Sequence, residues 1–271
     1  MTYRKPSLAG CFVLLSFIGS AIQAQESLRA FRYQPQKITT GVVYHYLKTN
    51  IDGTDPEHVS IRIAGKTQIA SFKFHPQGTR AGLVIATMDW SIFSVKTLES
   101  WQVFKNKDKV LAATLVYDAA KKDVAVTLPF MNRPTERVAI PFLPYHVYNF
   151  DFASLNFAFP HLINPRKTFR VGVSDPTFNE EGPAFRYRGE VEVAYLGEEL
   201  RDGFPCRKYR IGGPGLENRG GFIWVNKRTG YFQDVEIQLA DNPNWQTFKF
   251  KLQKVERMNQ AEWEKFMKAQ F

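Results

Sequence analysis

The sequence predicts a mostly β chain: one large curved antiparallel sheet, half-barrel or sandwich-like, with two short helices. Three observations carry that expectation. β-Branched and aromatic runs recur along the chain with turn chemistry between them. Polar and apolar residues alternate with the period of a half-buried antiparallel strand: Val235, Ile237 and Leu239 against Asp234, Glu236 and Gln238, and Phe248, Phe250 and Leu252 against Lys249, Lys251 and Gln253. Only two segments show helical spacing.

The chain begins with an export pattern. Arg4 and Lys5, without an acid, precede the apolar run 11–22, and small Ala24 stands before a polar stretch. The run is shorter than the roughly 20 residues that span a bilayer. A signal over 1–24, cleaved after Ala24, and a single β-rich domain over 25–271 follow as expectations, with a periplasmic or secreted location. The "LAGC" at 8–11 imitates a lipobox, but its apolar core comes after Cys11, so lipidation is not expected. Loss of Cys11 leaves Cys206 alone, with no intrachain disulfide. A small buried residue in a strand is its expected role.

Strands are expected over 42–49, 58–64, 67–74, 82–88, 110–118 and 123–128. In the second half they are expected over 168–175, 184–198, 206–212, 221–226, 231–240 and 245–256. The interval 89–106 reads as a bent strand. Residues 129–152 are rich in Pro and aromatics and lack the polar composition of a linker, so they are expected to cross between two halves of one continuous sheet. The first helix is expected over 151–164, with Asp151 as its cap, Leu155, Phe159 and Leu162 at helical spacing, and Pro160 kinking or ending it. The second, over 259–271, has Asn259 and Glu262 as a capping box and Trp263, Phe266 and Met267 on one face.

Five clustered glycines in "GGPGLENRGG" (212–221) raise the question of a phosphate loop. Such a loop ends in Gly-Lys-Ser/Thr and leads into a helix. Here it runs into the strand pattern "FIWVN", with no Lys after the last Gly, so the glycines are expected to serve a hairpin connection.

About twelve strands spaced roughly 4.8 Å apart would make a sheet some 50 Å wide or more. A fourteen-residue helix is only about 21 Å long. Two short helices cannot cover such a face, so the sheet closes, folds on itself, or curves around the helices and leaves an apolar groove. A sandwich with a filled core is the competing architecture. A closed outer-membrane barrel is a third, suggested by Phe271 at the end and by strands of barrel length.

The order "FDFASLNFAF", "KTFRVGVSD", "GEVEVAYLGEEL", "GFPCRKYRI" and "GGFIWVN" resembles a poorly characterised family of bacterial exported proteins. Its fixed points here are Asp151, Ser154, Leu155, Gly221 and Trp224, across roughly residues 40–256. Such proteins resemble the curved half-barrels of periplasmic lipoprotein carriers. The resemblance implies an exported, antiparallel, curved sheet and supplies no catalytic residues.

No catalytic template is met. The five histidines (His45, His58, His75, His146 and His161) lack metal-ligand spacing, and no Gly-x-Ser-x-Gly elbow is present. Asp52, Asp55 and Glu57 share a loop without the spacing of a calcium hand. No cofactor or metal is expected. The formal charge of +10 loses two positive residues with the signal and is spread rather than blocked. The partners it admits are a lipid or other apolar ligand and an anionic envelope component; nucleic acid is not expected. Among 23 Phe, 11 Tyr and 5 Trp, the groove candidates are Phe150, Phe152, Phe157 and Phe159 around the crossover, with Trp224. The function expected is therefore an exported β-sheet protein holding an apolar ligand. The alternative is an envelope structural or interaction protein.

Overall fold

Fifteen strands form one sheet that reads as two meanders laid side by side. The structure, a computed structural model, describes residues 26–105, 108–129, 134–177, 182–239 and 245–271. The expected export signal and Cys11 lie outside the described residues. The first meander runs outward from β1 (Val42–Thr49) through β2 (Glu57–Ile63), β3 (Gln68–Phe74), β4 (Arg80–Asp89), β5 (Ser94–Phe104), β6 (Lys109–Asp118) and β7 (Asp123–Thr127) to β8 (Glu136–Ala139) at one edge. The second starts at the opposite edge with β9 (Tyr145–Val147). It returns through β10 (Phe169–Pro176), β11 (Phe185–Arg201), β12 (Phe204–Gly212), β13 (Gly221–Asn226) and β14 (Phe232–Ile237) to β15 (Phe248–Arg257). β15 pairs antiparallel with β1 and joins the halves. Every ladder is antiparallel except that between β9 and β10.

Chain connectivity dictates the curvature. Laid flat, fifteen strands would span about 65 Å. Yet the two edge strands are joined by residues 140–144 alone, which reach no more than roughly 20 Å. The sheet must therefore curl until its edges approach. No ladder closes it among the described residues; side chains and backbone stitch the seam instead. Tyr145 N–H donates to Ser94 Oγ at 2.8 Å, Tyr145 Oη donates to the Val95 carbonyl at 2.7 Å, and Ala184 N–H donates to Glu136 Oε2 at 2.6 Å.

Two helices that lie wholly within the described residues pack against the sheet. α1 (Ala153–Ala158) continues as a 3₁₀ turn over Phe159–His161 and packs against β3, β5 and β9 on the concave face. Proline at the second position of that turn marks where the α-helix stops, as expected. The expected cap is corrected: Phe152, not Asp151, is the N-cap, and no side chain caps the helix. Both residues have φ near +50°, a conformation that costs about 1–3 kcal/mol in a non-glycine residue. The Asp151 carboxylate is turned away from the helix and engaged by two lysines, which explains why it cannot cap. α2 (Gln260–Lys268) lies on the convex face, and its Asn259–Glu262 capping box forms as the sequence indicates. Trp263 from α2 packs with Val43, Ala70, Phe72, Phe74, Ala81 and Leu83.

The bent strand expected over 89–106 is β5, with a bulge between Ser100 and Trp101. Strands β8 and β9 were not among those expected; both lie inside the crossover, where four and three residues are too short to show a period. The glycine-rich elbow is a connection containing a 3₁₀ turn over Pro214–Leu216. Gly220 has φ +61° there, and a Cβ on Gly221 would sit 1.9 Å from the Glu236 carbonyl oxygen.

The outward face is unlike that of a membrane barrel, whose outer band is apolar. Over β1–β5 it is covered by α2. Over β11–β15 it carries an ion-pair lattice in which Arg201 meets Asp234 at 2.6 Å and Glu236 at 2.5 Å, and Lys249 meets Glu236 at 3.1 Å.

Candidate apolar cavity at the seam

The concave face is filled at its centre. Asn156 of α1 donates to Tyr46 Oη at 3.0 Å and accepts the Phe232 N–H at 2.7 Å, while Tyr46 Oη donates to the Phe232 carbonyl. One amide thereby clips β1 to β14 and satisfies a backbone donor at the start of β14. Around it, Phe159 stands edge-to-face against Phe169, Tyr209 and Phe232, with centroids 5.2–5.6 Å apart.

At the seam the packing differs. β4–β7 face the segment 147–150 and the ends of β10 and β11 across a cavity of about 470 Å³. Its walls include Val84, Leu98, Leu115, Val126, Leu128, Val147, Phe150 and Phe185, with small residues Gly82, Ser100, Ala112, Ala113 and Ala184 between them. Asn149, Thr114, Thr177 and Gln102 supply the polar contacts. Among the described residues no charged side chain lines it, although charged residues make up 23% of the sequence. The volume falls within the ~300–1,000 Å³ of small-molecule sites.

A buried ionic cluster flanks this cavity. Asp151, fully buried, lies 2.8 Å from Lys73 Nζ and 3.2 Å from buried Lys48 Nζ. Glu57 lies 3.8 Å from Lys48, and Lys73 also donates to the Asn149 carbonyl at 2.7 Å. Lys48 Nζ sits 4.4 Å from the Trp245 ring centroid. Strand pairing builds the cluster: Lys48 is directly opposite Glu57, and Lys73 opposite both Val59 and cavity-lining Gly82. Burial pushes the Glu57 carboxyl up, against the pull of Lys73 and Lys48. The lysine contact to Asn149 and the Asp151 pairs hold the cavity's roof segment against β3.

The residues singled out in the sequence separate into three places. Phe150 lines the cavity. Phe152, Phe157 and Phe159 are in the packed core beside it. Trp224 is on the outer face, with the Arg201 guanidinium 4.0 Å from its ring centroid and its Nε1 donating to Glu199 at 2.5 Å. Sequence reasoning missed the β4–β7 residues, because small residues in a strand carry no ligand signal.

Two features that resemble reactive groups are enclosed. His146 Nδ1 lies 3.1 Å from Ser154 Oγ, but both residues are wholly buried, and burial pushes the imidazole down to about 3. Cys206 is buried, and its thiol is pushed up to about 11 by that burial, which leaves little thiolate at neutral pH. Among the described residues no group of three or more His, Cys, Asp or Glu could hold a metal ion. No helix among them is long and apolar enough to cross a membrane.

Comparison with known proteins adds little to this geometry. No protein-family model matches the chain, and no curated protein does. Among solved structures it is similar to MucB, at 7% identity and a TM-score of 0.27, over 92% of this chain and 60% of that one. It is also similar to a domain from Vibrio parahaemolyticus described as an outer membrane lipoprotein-sorting protein, at 9% identity and a TM-score of 0.26, over 90% of this chain and 99% of that domain. This chain thus spans about 60% of MucB. At such TM-scores the likeness carries no functional argument.

Proposed function

We propose that this chain is an exported binding protein that holds an uncharged apolar group, such as a lipid acyl chain, in the seam cavity. The observation that carries the reading is the cavity wall itself: about 470 Å³ lined, among the described residues, by apolar and neutral polar side chains and by no charge. A chain inserted there gains about 0.8 kcal/mol for each buried CH₂. Phe150 touches the ligand, while Phe152, Phe157 and Phe159 form a rigid backing that keeps the roof in place. The export pattern read over 1–24 supports a site of action outside the cytoplasm, where lipid is encountered.

The test is native mass spectrometry with organic extraction on detergent-free protein, followed by titration of a fluorescent fatty-acid probe. A bound apolar mass and saturable probe binding are expected. Ala113→Phe, which fills the wall between β5 and β7, should weaken the probe at least tenfold while the melting temperature stays within a few degrees. A clean apo mass with no saturable binding overturns the proposal and favours an envelope interaction protein. So does equal affinity in the variant.

A further inference from the structure

A second cleft, of about 290 Å³, has the opposite chemistry. It opens between the N-terminal strap that carries the 3₁₀ turn Pro35–Lys37, the segment 159–165 leaving α1, strands β12 and β13, and the turn 227–230 that leads from β13 to β14. Arg32, Lys37, Arg207, Lys227 and Arg228 line it, and among the described residues no carboxylate does. Pro160, Leu162, Ile163 and Val225 supply apolar walls, which strengthen the field of the cations by excluding water.

The pairing around Arg207 marks the cleft as built for an anion. Glu198 is its cross-strand neighbour on β11, but that carboxylate is taken by Lys227 and by Arg166, the latter at 3.1 Å. The other two cations of β12 are matched: Lys208 to Glu199 at 3.3 Å and Arg210 to Glu192 at 3.8 Å. Arg207 has no carboxylate among the described residues, and its Nε is shielded from water without an acceptor. A buried charged donor left without an acceptor is unfavourable until a ligand supplies one. His161 is buried beside Gln34, whose N–H it accepts at Nδ1. Burial and Lys37 push it down to about 4, so at neutral pH it adds no charge to the cluster.

We infer that this cleft binds a phosphate group. Arg32, Arg207 and Arg228 offer planar forks that match tetrahedral oxyanions in a way a single lysine does not. Lys227 and Lys37 add charge at the rim. The source of the group is either free phosphate or a lipid headgroup; both present the same oxygens. The inference is independent of the seam cavity, which shares no lining residue with this cleft.

Calorimetric titration with inorganic phosphate at low salt tests it, alongside sedimentation with phosphatidylcholine vesicles with and without phosphatidylglycerol. Saturable phosphate binding is expected, weakened about tenfold or more in Arg207→Gln. The double variant Arg32→Gln/Arg228→Gln changes two exposed side chains, so it is expected to fold as wild type and to weaken binding by a similar factor. Binding to phosphatidylglycerol vesicles alone, lost in the same variants, assigns the headgroup as the source and upholds the inference. It is overturned if neither ligand binds, or if the double variant binds as wild type. The fatty-acid probe should bind these variants unchanged, which separates this result from failure of the cavity proposal.

Discussion

At the centre of the concave face, α1 meets the sheet ring against ring, with Phe159 enclosed by Phe169, Tyr209 and Phe232. At the seam, β4–β7 look across about 470 Å³ at the ends of β10 and β11. Both regions lie on the same side of the same sheet, and both are walled by strands of ordinary alternation. The difference is side-chain volume. The centre is supplied with large rings from both the helix and the sheet. The seam has Gly82, Ser100, Ala112, Ala113 and Ala184, which stop short of one another. Space in this protein is left where small residues face small residues.

The largest effect that tests this contrast is a loss at the centre. Phe159→Ala should destabilise by about 3–5 kcal/mol in urea unfolding, because the surrounding rings cannot collapse into the void. A smaller loss would mean that the centre is looser than its ring geometry indicates. Asp151→Asn should cost a similar amount, about 3–5 kcal/mol, by leaving buried Lys48 and partly buried Lys73 without their shared carboxylate. Thermal unfolding together with probe affinity would show whether the cavity roof loosens with it.

Overpacking sharpens the same comparison. Ala158→Leu, in the filled centre, should cost about 1–3 kcal/mol, whereas Ala113→Leu, on the cavity wall, should cost under about 1 kcal/mol. Equal costs would deny that the two regions differ. A pH series gives the next effect. His146 is held neutral by burial, its value near 3 against about 6.5 in an unfolded chain. Below about pH 6.5 the unfolded chain binds a proton that the folded one refuses. This group therefore lowers stability as pH falls from about 6.5 toward 3, by about 1.4 kcal/mol per unit, and has no effect above that window. His146→Gln should flatten the slope by that amount between pH 6 and 4. A similarly small effect is expected at the outer helix: Asn259→Ala removes the capping box and should cost about 1 kcal/mol.

Much of the fold was legible because it is local. The alternation of Val235, Ile237 and Leu239 identified β14, and Asn259 with Glu262 announced α2. Pro160 marked the end of α1. Local signals failed where a residue's role is set at long range. Asp151 has the chemistry of a cap and stands at the right place for one, yet Lys48 and Lys73, from β1 and β3, claim its carboxylate. Strands β8 and β9 are too short to display a period and exist because neighbouring strands offer them partners. Of the candidate groove residues, only Phe150 reaches the cavity wall, since four phenylalanines around a crossover look alike until the helix takes three of them inward.

By itself the sequence determined which residues share a face, where the chain turns, and that its two helices are too short to cover the sheet. Those facts follow from the period of two, from glycine and proline stereochemistry, and from length. Only the tertiary structure decided that the sheet curls until β9 meets β5 and β8 meets β11. That closure sets β4–β7 opposite the ends of β10 and β11, and so creates the cavity. In the same way, packing of the N-terminal strap against β12 and β13 gathers arginines that are far apart along the chain. Alternation reports the side of a strand on which a residue lies; which distant rows face each other depends on how the whole sheet bends.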